Sequence, residues 1–219
     1  MMKIIHQSAA DAAPQREVIV GHSQAEKEAS RERVLRIAAR KVRAEGVTRP
    51  GVAELMKAAG LTHGGFYKHF ASRGDLIAQA AAVALAEGTA KMQRAARKNA
   101  QEPRTGLIDA YLAKRHRDTP ATGCALVTLG AAAGRGGTED DQPFREAYER
   151  QVRAYLELIA ELDDDVADTR AEAMLTLSAL VGAVLMSRAV ADEDLSDELL
   201  ETVAGQLERH VTGPLPPAA

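Results

Sequence analysis

Gly60-Leu61-Thr62-His63-Gly64-Gly65-Phe66-Tyr67-Lys68-His69-Phe70 decides the fold. Leu61 precedes Thr62, a good helix N-cap, and Phe66 stands four residues beyond that cap, the spacing of a hydrophobic staple. Phe66 and Phe70 fall one helical turn apart on an inward side. Gly64 and Lys68 point the other way, with His63 and Tyr67 on one shoulder. Upstream, Val52, Leu55, Met56 and Ala59 recur at i, i+3, i+4, i+7, which predicts a second short amphipathic helix. Gly60-Leu61 makes the turn between the two. A helix, a glycine-containing turn and a helix bearing basic and hydrogen-bonding groups form the helix-turn-helix pattern, whose second helix enters a DNA major groove.

Gly60-Leu61-Thr62-x-Gly64-x-Phe66-Tyr67-x-His69-Phe70, followed by Ser72-Arg73-x-Asp75-Leu76, resembles the N-terminal signature of the TetR/AcrR transcriptional regulators. The matched stretch runs from about Arg31 to Leu76. The resemblance implies an all-α chain: a three-helix DNA-binding head, then a helical body for dimerisation and effector binding. It implies DNA contacts from Thr62, His63, Gly64, Tyr67, Lys68 and His69. Two departures stand out. Val42 occupies a position where the family usually has Phe, and Pro50-Gly51 replaces the Thr or Ser that caps the second helix and touches a phosphate. Thr48 or Arg49 would then take over that contact.

The residue chemistry agrees with this assignment. Gly64 lets the backbone approach the groove, Tyr67 can donate to a phosphate, and Lys68 is a point charge for the backbone. His63 can meet a base edge or a phosphate, whereas Thr62 and His69 could equally cap and pack their own helix. Among the supporting charges Arg31, Arg49 and Lys57, Arg49 is the expected phosphate ligand.

Composition sets the rest. The 219 residues are 46% hydrophobic but only 3% aromatic, with no Trp, so Ala, Leu and Val must build closely packed helices. The formal charge of −3 conceals a split. From Glu28 to Asp75 there are 10 Lys/Arg and 5 Asp/Glu, giving +5, which leaves −3 − 5 = −8 for the remainder. A basic head on an acidic body is the distribution expected of a DNA reader. One Cys excludes an internal disulfide and a multi-thiolate metal site. The six His are scattered, and no acid/base pair, nucleophile motif or phosphate loop is evident, so neither metal, cofactor nor catalysis is expected. No run approaches a membrane span and no signal peptide is evident, which predicts a cytoplasmic protein without a membrane partner.

Along the chain, residues 1–23 read as a flexible leader, 24–72 as the helix-turn-helix head, 73–211 as the body and 212–219 as a disordered tail. The first helix is expected from about Gln24 to Glu45, with Arg31, Arg36, Arg40 and Arg43 largely exposed. Ser72 to Asp75 reads as a capping box for a long helix to about Asn99, joining head to body. Helices are expected at Arg104–Arg117, Thr122–Ala133, Pro143–Leu162, Val166–Ala191 and Ser196–His210. A Gly-rich loop over 134–142 and an Asp163-Asp164-Asp165 break separate some of them. The last two helices carry Met174, Leu177, Val181, Val184 and Leu185, then Leu199, Leu200, Val203 and Leu207. Ala171, Ala179, Gly182 and Ala183 permit close helix approach, the material for an isologous homodimer interface or for core.

For a small-molecule effector, the larger or polar-tipped side chains of the body are the candidates: Tyr111, His116, Cys124, Phe144, Tyr148, Tyr155 and Met174. Cys124 near a helix start also suggests an oxidant or electrophile sensor, against the commoner role of a buried thiol as a small hydrophobe. The leading expectation is a regulator, a repressor released from a palindromic operator by its effector. The alternatives are redox sensing through Cys124 and a helical ligand-binding module that no longer reads DNA.

Overall fold

The computed structural model describes residues 17–135, 142–162 and 169–212, with no strand among them. The expected leader over residues 1–16, most of the 134–142 loop, the Asp163–Asp165 break and the tail from Gly213 lie outside the described residues. The elements are α1 (Glu17–Glu45), α2 (Val52–Ala58), a 3₁₀ recognition segment (His63–Lys68) and α3 (Arg73–Lys98). Then follow α4 (Pro103–Leu112), α5 (Lys114–Asp118), a 3₁₀ turn (Pro120–Thr122) and α6 (Ala125–Arg135). The chain continues with α7 (Gln142–Ala160), α8 (Thr169–Ala189) and α9 (Glu193–Thr212).

The head closes on its apolar stripes. Val34, Ala38 and Val42 of α1 meet Leu55 and Met56 of α2, Phe66 and Phe70, and Leu76 of α3, all buried in one continuous core. Phe66 and Phe70 stack at 5.7 Å between ring centroids. The turn between α2 and the recognition segment depends on Gly60, whose φ is +73. Its amide donates to the Lys57 carbonyl and the Leu61 amide donates to that of Met56 (3.0 and 2.9 Å). That pair of bonds is a Schellman motif, and a left-handed residue at its turn is what glycine supplies without steric cost.

α3 is the shaft of the molecule. Ser72 Oγ accepts from the Asp75 amide, the first bond of the expected capping box, while the Asp75 carboxylate accepts from the amide of Ala71, one residue before the cap, both at 3.0 Å. At 1.5 Å per residue α3 spans about 39 Å. It packs on α1 in the head and on α4 and α7 in the body. α8 and α9 pack on each other, and α8 also packs on α7.

Several expectations are corrected. α1 starts at Glu17, not Gln24. Arg43 is not an exposed cation: its residue is 3% exposed and its guanidinium donates to the carbonyls of Ala121 (2.9 Å) and Ala84 (3.3 Å) and to Glu87 (2.5 Å). Helical periodicity cannot separate a cation on the solvent face from one that lies between two packed elements. The expected helix over Arg104–Arg117 breaks at Ala113, which is extended (φ −59, ψ 137). The imidazole Nδ1 of His116 bonds the Tyr111 carbonyl that the break releases from the α4 ladder. The expected Thr122 start moves to Ala125, because Pro120–Thr122 forms its own turn. α9 begins earlier than Ser196, capped by Asp192 Oδ1, which accepts from the amides of Asp194 and Leu195 (3.0 and 3.1 Å). Finally, by length and composition α8 is apolar enough to cross a membrane, contrary to the reading that no run approaches this. One side of it packs in the body core through Ala173, Leu177, Leu180, Ala183 and Val184.

Candidate nucleic-acid interface and the body cavity

The recognition segment has the two unlike faces expected of it. Phe66 and Phe70 are buried, whereas Thr62, His63, Gly64, Tyr67 and Lys68 are exposed, Tyr67 to 76%. Its local structure differs in kind from the expected α-helix. Bonds from the Gly65 amide to Thr62 and from His69 to Phe66 (3.0 and 2.9 Å) are of the 3₁₀ type, and Phe70 to Phe66 (3.1 Å) closes the segment with an α-type bond. Two consecutive glycines have the weakest helix propensity short of proline, and six residues cannot propagate far beyond a costly nucleus. Thr62 holds the N-cap backbone conformation, but its side chain makes no capping hydrogen bond, so the expected hydroxyl cap is absent.

His69 stands apart from the exposed set. It is half-buried, and its Nδ1 is buried without a hydrogen-bond partner. Burial, and then the nearby charges of Lys27, Arg31 and Lys68, hold its pKa below the ordinary 6.5. Arg31 is likewise committed internally: it donates to Gln79 Oε1 (2.5 Å), and its guanidinium lies 5.6 Å from the Phe70 ring centroid. Arg49 and Lys57 are exposed.

Sequence reasoning missed Arg73. Its Nη2 donates to the carbonyls of Val47, Thr48 and Pro50 (3.0, 2.9 and 3.2 Å), tying the loop that carries Arg49 to the first turn of α3. α2 itself starts at Gly51 with no side-chain cap. The clamp orders the loop that leads into α2 but does not cap the first amides of the helix.

The body holds a cavity of about 810 Å³ between α3, α4, α5 and the Pro120–Cys124 segment. His116, Cys124 and Tyr155 line it, and Tyr111 stands behind them, edge-on to His116 (4.8 Å) and to Tyr155 (6.4 Å). Gly88 makes room for Tyr155, whose hydroxyl would sit 2.7 Å from a Cβ at that position. Phe144, Tyr148 and Met174, the remaining effector candidates, do not line the cavity. Phe144 packs in the core, Tyr148 reaches the Leu126 carbonyl (3.4 Å), and Met174 is exposed on α8. Unforeseen linings are Lys91, Arg94 and Lys98 of α3 with Arg115 of α5. The first three recur at i, i+3, i+7, a signal that was legible as a single helical face.

His116 is spent on structure. Its Nδ1 donates to the Tyr111 carbonyl, and its Nε2 accepts from the Cys124 amide at 2.7 Å. These partners fix a neutral Nδ1–H tautomer, and burial lowers its pKa, so no ring nitrogen remains to deprotonate the thiol. Cys124 is buried, with Sγ 3.6 Å from the Tyr155 hydroxyl. Burial raises the pKa of both Tyr111 and Tyr155 well above 10.0, and proximity to Cys124 adds to it. Among the described residues no His/Cys/Asp/Glu cluster could hold a metal.

The cavity walls are bonded to distant parts of the molecule. Arg43 of α1 holds Ala121, and Thr128 of α6 donates to the Arg43 carbonyl (2.8 Å). Arg188 of α8 donates to the carbonyls of His116 and Arg117 (2.6 and 2.9 Å). Arg117 in turn reaches Ser196 and Asp197 of α9 (2.8 and 2.6 Å).

On α8, Met174, Leu175, Leu185 and Met186 are exposed, Leu175 and Leu185 to about half, and Leu195 of α9 is exposed too. With Ala171, Ser178 and Gly182 the four on α8 form one stripe. The expected dimer face therefore splits. Leu177, Val184, Leu200 and Leu207 are buried in the chain's own core, while Leu175, Met186 and Leu195 were not foreseen.

No family profile matches the chain, and no curated protein matches it. Solved structures do. A TetR-family regulator from Chloroflexus aurantiacus superposes with a TM-score of 0.71 at 21% identity, covering 86% of this chain and 96% of that one. One from Cytophaga hutchinsonii gives 0.69 at 15%, covering 84% and 96%. The reduced form of E. coli NemR gives 0.67 at 20%, covering 82% and 96%.

Proposed function

We propose that this chain, whose fold is that of the TetR-family transcriptional regulators, is a DNA-binding regulator, a homodimer whose operator affinity is set by a small molecule in the body cavity. The observation that carries the reading is the recognition segment: His63, Gly64, Tyr67 and Lys68 exposed on one side, anchored by buried Phe66 and Phe70 on the other. Lys68 and Arg49 neutralise phosphates, Tyr67 donates to one, and Gly64 and His63 lie against the groove.

The half-exposed apolar stripe on α8 supports pairing with a second copy. Isolated apolar side chains on a surface need no explanation, but a stripe running the length of a helix does. Two-fold pairing would set two recognition segments about 34 Å apart, one turn of DNA, and would require a palindromic operator. The cavity lies where such a device could be switched. Its walls are bonded to α1 through Arg43, to the shaft α3, and to α8 and α9 through Arg188 and Arg117. A ligand that separates these walls favours one dimer geometry, and its differential affinity for the two geometries is the whole of its leverage on DNA.

Fluorescence anisotropy with the DNA upstream of the coding region, followed by selection from random duplexes, tests the reading. Binding should be sequence-selective, should weaken steeply with salt, and should be lost in Tyr67→Ala and Lys68→Ala with the thermal midpoint unchanged. Absence of a selected duplex would sink it.

A further inference from the structure

We infer that the body cavity takes an amphipathic organic anion, a carboxylate or phosphate carried on an apolar frame. In a chain of formal net charge −3, the cavity lining among the described residues includes four cations, Lys91, Arg94, Lys98 and Arg115, and no carboxylate. None of the four makes an ion pair with a described residue. Lys98 has a simpler role in part, since it sits in the last turn of α3 and complements the helix dipole. Lys91 does not. It is mid-helix and half-buried, and among the described residues its ammonium bonds only the Thr122 carbonyl. The acid nearest to it in sequence, Glu87, still attracts it from one helical turn away but makes its ion pair with Arg43. A partly desolvated cation with one neutral acceptor and more cations around it is stabilised by an anion that completes it.

The remaining lining fixes the rest of the ligand. Met92, Tyr155 and alanines of α3 and α4 give an apolar wall, so the ligand is not a bare inorganic ion. About 810 Å³ fits a molecule of drug size. Arg94, Lys98 and Arg115 are exposed at the mouth, where they raise the local concentration of anions, and Lys91 stands deeper. Ligand contact with Lys91 would loosen its bond to Thr122, next to the Ala121 carbonyl that Arg43 holds.

The ligand class deepens the regulator reading, but binding itself is measured without DNA. Calorimetry and thermal shift would use matched probes, decanoate and 1-naphthoate against decanol and 1-naphthalenemethanol, with decyl phosphate as a further anion. The parent should bind the anions at least about tenfold more tightly than the alcohols, and the preference should shrink with salt. The exposed-site variant Arg94→Gln/Arg115→Gln should lose most of that preference while keeping its thermal midpoint and its affinity for the alcohols. Lys91→Met should lose it as well. Equal binding of anion and alcohol, no binding of any anion at millimolar concentration, or an unchanged preference in both variants would overturn the inference. Anion binding that leaves DNA affinity unaltered would instead count against the regulator reading alone.

Discussion

Arg43→Met probes the joint between head and body. Methionine keeps the buried stem and removes the guanidinium, so the effect comes from hydrogen bonding rather than from a cavity. The bond to the Ala121 carbonyl at 2.9 Å is charge-assisted, and losing it costs about 1.5–3 kcal/mol. The contact to the Ala84 carbonyl, at 3.3 Å and shared with the α3 ladder, adds a few tenths. Glu87 is 42% exposed, so solvent takes over its charge and the ion pair contributes at most about 1 kcal/mol. The sum is about 2–4 kcal/mol, or a fall of about 4–16 °C in the thermal midpoint of a chain this size. Replacing a buried ion pair by a hydrophobe is often neutral, but here the principal acceptor is a backbone carbonyl that cannot be replaced along with it. Circular dichroism at 222 nm reads the stability. Hydrogen exchange reads the local effect, which should be faster exchange at the Gly123 and Cys124 amides, bonded to Pro120 and His116. A midpoint within about 2 °C of the parent, with unchanged exchange at those amides, would refute the reasoning.

Gly64→Ala separates function from fold. An added Cβ meets nothing within 4 Å, so stability should hold or rise by up to about 1 kcal/mol, while operator affinity in an anisotropy titration should fall. Unchanged affinity would mean the backbone does not approach DNA there. Gly88→Ala forces a methyl against the Tyr155 hydroxyl at 2.7 Å and should cost about 1–3 kcal/mol by urea denaturation. His69 and His116 both have pKa values held below 6.5, so the unfolded chain binds more protons than the folded one just below that pH. Stability should therefore fall as pH drops through 6.5 and level off below the depressed values, and a urea midpoint independent of pH between 7 and 5 would contradict this. Leu175→Glu with Met186→Glu on the exposed face of α8 should yield monomers in sedimentation velocity and abolish operator binding, with helicity retained.

The head was legible because local and tertiary signals agree in it. Phe66, Phe70, Leu55 and Met56 are buried as their spacing demands, and Gly60 has the positive φ its turn requires. Tyr67 and Lys68 could be placed outward by period alone. What escaped lies where one side chain answers to two elements. Arg43 reads as a solvated cation, and Arg73 and Arg188 carry no sign of their role, because nothing local distinguishes an arginine that bonds carbonyls across the fold. The break at Ala113 was hidden for the same reason, since the His116 bond that favours it is not a propensity. The cavity was half-read. His116, Cys124 and Tyr155 line it while Phe144, Tyr148 and Met174 do not, because size and a polar tip, the ground on which these side chains stand out, do not reveal the direction in which a side chain faces. The α8 stripe illustrates the same limit, for Leu177 and Leu175 carry the same side chain and differ only in angle about the axis.

Arg73 binds three main-chain oxygens and no side chain of the loop it holds. The geometry of residues 47–50 is thereby independent of which side chains Thr48 and Arg49 present. Scaffold and message are uncoupled at this corner. Position 49 can be rewritten, by selection or by design, while the bend between α1 and α2 stays as it is.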